Sequence, residues 1–68
     1  MKFIDTDTGS IYKVREKDGL HRAARLRPDA KNWAFVASKR TPWRDEKTEA
    51  EADLLNFAIK RNLKRLED

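Results

Sequence analysis

Through its first forty residues the chain alternates apolar and polar positions, and after Arg40 the period lengthens to that of a helix. Phe3-Ile4 is a short apolar pair, followed by the turn formers Asp5-Thr6-Asp7-Thr8-Gly9. Asp and Thr side chains fold back on the local backbone in such clusters, and Gly takes positive φ without a Cβ clash. Ser10 to Lys17 alternates through Tyr12, Lys13, Val14 and Arg15, and Asp18-Gly19 is a strong hairpin signal. Leu20 to Arg27 alternates again and stops at Pro28-Asp29, and a third run carries Trp33, Phe35 and Val36. Strands are therefore expected over about 2–5, 10–17, 20–27 and 33–39.

Residues 45–66 contain neither Gly nor Pro and are rich in Ala, Leu, Glu and Lys, which predicts a helix over that span. Two starts compete. Thr41-Pro42 offers an N-cap with Pro at the first helical position, and Thr48-Glu49-Ala50-Glu51 has the pattern of a capping box. Asp45, Glu46, Glu49, Glu51 and Asp53 lie toward the N-terminal end, and Lys60, Arg61, Lys64 and Arg65 toward the other. Both placements suit the helix macrodipole. Strands followed by one helix predict a single α+β domain, an antiparallel β-meander of three to four strands covered on one face by a C-terminal helix.

Hairpin register decides which face carries charge. A two-residue Asp18-Gly19 turn would set Lys17 against Leu20 and place Lys13 and Arg15 on the face of Leu20 and Leu26. A three-residue loop, Lys17-Asp18-Gly19 with a bulge at Gly19, separates the two kinds of residue. Tyr12, Val14, Leu20, Ala24 and Leu26 then share the inner face, and Lys13, Arg15, His21, Ala23, Arg25 and Arg27 the outer one. Glu16 and Arg22 are left at the inner rim. That separation favours the bulged register. In the third run, a five-residue loop at Pro28 to Asn32 puts Trp33 and Phe35 on the basic face, and a four-residue loop puts them in the core. The core placement is preferred, because a small domain needs its large side chains for burial.

The helix shows two apolar stripes. Ala50, Leu54, Phe57 and Ala58 form one; Ala52, Leu55, Ile59, Leu63 and Leu66 form the other, roughly opposite. One stripe can cover the sheet. The second needs the first strand, a bend or another molecule.

Composition narrows the function. Sixty-eight residues make one domain near the lower size limit for independent folding. The absence of Cys removes disulfides and thiolate metal sites and makes the cytosol the expected compartment. The N-terminus turns polar at once, so neither a signal peptide nor a membrane span is expected. Residues 1–40 hold ten Lys/Arg against five Asp/Glu, and residues 41–68 six against seven, so the basic excess lies in the strand region.

Catalytic chemistry finds no foothold. His21 is the sole histidine and has no serine or cysteine motif beside it, so it reads as a surface strand residue near Glu16. Asp5 to Gly9 has the look of a calcium loop with Glu16 at the twelfth position, but Ser10 stands where glycine is required. A plain turn accounts for it. Gly9 and Gly19 are the only glycines and form no phosphate loop. No enzyme, cofactor or metal is expected. The strongest feature is the basic strand face, whose bland reading is a solvated sheet surface. Its functional reading is a phosphate footprint of Lys13, Arg15, Arg25, Arg27, Lys39 and Arg40, with His21 or Trp33 reaching bases.

Tyr12-Lys13-Val14-Arg15, Ala23-Ala24-Arg25, Trp33 and Thr48-Glu49-Ala50-Glu51-Ala52 together resemble the AP2 DNA-binding domain and the related arm-binding domains of phage and transposon tyrosine integrases. The resemblance spans roughly residues 11–60. It implies a three-stranded antiparallel sheet on one C-terminal helix, reading DNA with exposed Arg and Trp side chains; Arg15, Arg25 and Trp33 match that pattern. It further implies a phage or mobile-element protein. Double-stranded DNA is accordingly the expected partner. The alternative is an adaptor or inhibitor that binds a protein, or a second copy of itself, through Leu55, Ile59, Leu63 and Leu66.

Overall fold

The chain runs β1 (Lys2–Ile4), β2 (Ile11–Lys17), β3 (Leu20–Leu26), β4 (Ala34–Phe35), α1 (Lys47–Arg61) and β5 (Lys64–Leu66). The computed structural model describes residues 1–66. The strands form one five-stranded sheet in the order β4-β3-β2-β1-β5, antiparallel at every pairing. Helix α1 packs on one face, against β2 and β3. The α+β meander expected from the pattern is therefore present, with one strand more than expected. No helix among the described residues is long and apolar enough to cross a membrane.

The hairpin register differs from the bulged one. Lys17 lies directly opposite Leu20 and Tyr12 opposite Arg25. Asp18 and Gly19 both take positive φ, 53° and 78°, as a type I′ turn requires, and the twist of that turn matches the twist of the strands. Backbone turn geometry wins over the tidier separation of charge. As a result β2 faces as expected and β3 is flipped. Tyr12, Val14 and Ala23 meet Leu54, Phe57 and Ala58 of the helix, while Leu20, Ala24 and Leu26 lie on the other side with Lys13 and Arg15.

Small residues let the helix approach closely. Ala23, Ala50 and Ala58 are buried alongside Phe3, Tyr12, Leu54 and Phe57, and the Tyr12 and Phe57 rings meet at 5.7 Å. Val14, Val36 and Leu63 close the margins.

The helix is shorter than its composition suggests at both ends. Neither expected start is used. Thr41 is buried and its hydroxyl donates to the Val36 carbonyl at 3.0 Å. Arg44 exchanges backbone hydrogen bonds with His21 at 2.7 and 2.8 Å, which holds the approach to the helix extended. Glu46 takes the N-cap position at φ −108°, with no side-chain cap. At the far end Asn62 turns left-handed, φ 60°. Leu63 N–H then donates to Ala58 O at 2.9 Å and Asn62 N–H to Ile59 O at 3.3 Å, the paired bonds of a Schellman stop. The chain reverses there, so Lys64–Leu66 pairs with β1 instead of extending the helix.

One ion pair ties the approach segment to the helix. Arg44 grips Asp53 with Nε–Oδ2 at 2.8 Å and Nη2–Oδ1 at 3.1 Å. The hydrogen bond to Asp53, then its charge, raise the Arg44 pKa above its ordinary value.

Candidate nucleic-acid interface

Alternation along the strands fixes the composition of the sheet face away from the helix. Because Phe3, Tyr12 and Ala23 point into the core, their neighbours point out. Lys13, Arg15 and Lys17 of β2 stand beside Leu20, Arg22, Ala24 and Leu26 of β3. On the far side of β2, Ile4 pairs with Ile11, and Lys64 and Leu66 pair with Ile4 and Lys2. Phe35 pairs with Ala24 at the other end. Among the described residues, the strand positions of this face include Lys2, Lys13, Arg15, Lys17, Arg22 and Lys64 and no carboxylate.

Three aromatic rings are set among these cations. Trp33 lies under the Lys13 ammonium, 4.8 Å from the ring centroid, and under the Arg15 guanidinium, 5.7 Å away. Trp43 packs on Phe35 with centroids 4.6 Å apart and carries the Arg22 guanidinium at 5.4 Å. Ala24 beneath them is fully buried, so this side has a thin apolar layer of its own. The preferred core placement of Trp33 and Phe35 is thereby corrected. Val36 takes the inward position, since a two-residue β4 presents Phe35 outward opposite Ala24. The inner side, narrowed by alanines, is filled without either ring.

Arg15 and Arg22 sit directly across from one another, a like-charge pair that disfavours the sheet unless something offsets it. The rings under both side chains do so in part, through cation–π attraction. Arg22 is also anchored, its Nε donating to Thr41 O at 2.6 Å and Nη2 to Ser38 O at 3.4 Å. These bonds fix the loop that bears Lys39 and Arg40, both exposed, with Arg40 N–H donating to Ser38 Oγ at 3.1 Å.

The expected footprint is thus divided. Lys13, Arg15 and Trp33 come together, and Lys39 and Arg40 project from the adjoining loop. His21 and Arg25 do not join them. They pair with Glu16 and Tyr12 and so lie on the helix side of the sheet. Arg25, Arg27 and Arg61 instead line an open cleft of about 440 Å³ with Tyr12, Asp5 and Asp29. Of the residues that matched the AP2-like pattern, Arg15 and Trp33 share the outer face and Arg25 does not. Sequence reasoning left out Arg22, Lys17 and Trp43. Arg22 alternates with Leu20 and Ala24 and was within reach of a correct register. Trp43 follows Pro42 in an irregular segment, where no periodicity marks its face.

The second helix stripe is also divided. Leu55 is 40% exposed and Ile59 68%, whereas Leu63 packs against the core and Leu66 belongs to β5. Asn62 breaks the helical register between them. The turn that resembled a calcium loop is held by its own groups: Asp7 N–H donates to Asp5 Oδ1 at 2.9 Å and Gly9 N–H to Asp5 O at 2.7 Å.

Comparison of the chain with protein-family models, with curated proteins and with solved structures returned no match.

Proposed function

We propose that the protein is a non-enzymatic nucleic-acid-binding module that engages its ligand with the sheet face opposite the helix. The observation that carries the reading is that, among the described residues, the charged strand positions of that face are all cations, with Lys13, Arg15, Lys17 and Arg22 interleaved with Trp33, Phe35 and Trp43. Clustered like charge is unfavourable in the free protein, and pairing with phosphates relieves it while the Lys and Arg side chains release the counterions condensed on the nucleic acid. DNA is the partner to which the AP2-like resemblance leads, and a phage or mobile-element role would follow from the same resemblance.

Titration against mixed-sequence oligonucleotides at two salt concentrations tests the reading. Neutralising about four to six phosphates gives a log–log salt slope of roughly −4 to −5 on a duplex. Absence of binding at low salt would overturn it.

A protein partner is the second reading, favoured by one observation: Leu55 and Ile59 are exposed one helical turn apart. Leu63 and Leu66 do not extend that patch, which leaves it smaller than the sequence pattern suggested.

A further inference from the structure

The outer face consists of rings with cations already resting on them, a combination suited to unpaired bases more than to a closed duplex. We infer that its ligand is single-stranded nucleic acid, with Trp33 and Trp43 as stacking platforms and Lys13 and Arg15 as the phosphate clamp. The inference rests on the nucleic-acid reading above and narrows it.

A duplex conceals the faces of its bases in the stack and offers a protein only phosphates and groove edges. Groove reading uses guanidinium forks that project freely and meet a base edge with two parallel bonds. Of the two guanidiniums at strand positions of this face, one is anchored and the other rests on a ring. Arg22 spends Nε on Thr41 O at 2.6 Å and Nη2 on Ser38 O at 3.4 Å while lying over Trp43. Arg15 and Lys13 lie over Trp33. What the face does present is aromatic surface: Trp43 is 37% exposed, and Trp33 and Phe35 are half-buried. Ile4, Ile11 and Leu26, also half-buried on this face, add apolar surface with no hydrogen-bonding edge to satisfy.

Every base has a π-face, so aromatic platforms bind single strands with little regard to sequence. The cations over Trp33 are placed for the same ligand. A base that stacks on the indole brings a phosphate with it, and Lys13 and Arg15 exchange a weak ring contact for a charged one. A duplex can still meet the same charges through its backbone, but it gains nothing from the rings.

The test uses the full chain and labelled mixed-sequence oligonucleotides of about twelve nucleotides, as single-stranded DNA, single-stranded RNA and duplex DNA. At least one single-stranded form is expected to bind roughly tenfold tighter than the duplex, with quenching of tryptophan emission on saturation. The stronger single-stranded arm identifies the source. Trp33→Ala should weaken single-strand binding by about tenfold and duplex binding by less than about threefold, and Trp33→Phe should restore most of the loss. If circular dichroism shows that Trp33→Ala does not fold, the Trp33→Phe variant and the wild-type quenching decide the matter. Duplex binding as tight as single-strand binding, or binding without quenching, would overturn the inference and leave the nucleic-acid reading standing. No binding in any arm would refute that reading itself.

Discussion

The two sides of the sheet bury their apolar groups in different ways. On the helix side, Phe3, Tyr12, Leu54 and Phe57 interlock with Ala23, Ala50 and Ala58, and every one of these residues is buried. On the other side, Trp33, Phe35 and Trp43 lie over Ala24, only part-covered, and their roof is made of Lys13, Arg15 and Arg22 side chains. Both tryptophans are thus outside the closed core of a domain that has little core to spare. A chain this small gains stability from each large side chain it buries. The closed helix side is therefore the main source of stability, and the half-exposed rings beneath cations form the face at which the proposed contact would be made.

The largest effect should come from breaking the helix side. Leu54 is fully buried at the centre of the core, and Leu54→Ala should cost about 2–5 kcal/mol. Small domains have a total stability of about 5 kcal/mol, so urea unfolding should find the variant largely unfolded or close to it. On the other side, Phe35→Ala removes a half-buried ring and should cost about 1–2 kcal/mol. Equal losses would mean that the domain has two cores of equal weight and would erase the contrast.

Charge removal sharpens the comparison from the opposite direction. Replacing Lys13 and Arg15 together with Ala should leave the urea midpoint nearly unchanged, within about 0.5 kcal/mol. Relief of the Arg15–Arg22 opposition offsets the lost ring contacts. Nucleic-acid affinity at low salt should fall by about tenfold or more in the same variant. Arg25→Ala with Arg27→Ala removes the same formal charge from the cleft on the helix side and should weaken binding much less. Equal loss from the two pairs would point to diffuse attraction and away from a built face.

The contrast between the sides was only partly legible in the sequence, and the reasons are local. Strand β2 faces as its alternation predicts, because Tyr12 and Val14 alternate with the charged Lys13 and Arg15. Strand β3 was assigned to the wrong side. Its pattern, Leu20, Ala24 and Leu26 against Ala23, invites burial of the leucines, but the Asp18-Gly19 turn fixes the register one residue away. Ala23 then contributes to the core by being small, a role that hydrophobic periodicity does not detect. The helix ends five residues before the end of β5 because Asn62, an ordinary helix residue by propensity, adopts the left-handed conformation open to it. What followed it looked like helix by composition. Arg15 and Trp33 were legible as candidates from the pattern and Arg22 needed only the correct hairpin register, whereas Trp43 depends on the return of the chain at Thr41 and Arg44, a tertiary event without a local signature.

The helix stop itself offers an intermediate test. At Asn62 a Cβ-bearing residue without a short polar side chain is strained, and Asn62→Ala should cost about 1 kcal/mol. Asn62→Gly should be neutral or slightly stabilising, because Gly takes positive φ freely. A thermal-melt comparison of the two variants checks the sign, and a more stable Asn62→Ala would contradict the observed stop.

The smallest effect is expected at Ile59, and it bears on what else the helix does. Ile59 is 68% exposed, so Ile59→Glu should change stability by no more than about 0.5 kcal/mol. An exposed isoleucine one turn from Leu55 still invites the question of a second copy. A stable dimer buries about 800 Å² on each partner. The outward stripe supplies Leu55, Ile59 and the exposed Ala52, since Leu63 is committed to the core and Leu66 to β5. So little apolar surface is a poor basis for a stable dimer without further contacts. Sedimentation of the unliganded protein should therefore give a monomer for the wild type and for Ile59→Glu alike. A wild-type dimer that Ile59→Glu converts to folded monomers would show that the helix, and not the aromatic face alone, is a contact surface, and would make the protein-partner reading the stronger of the two.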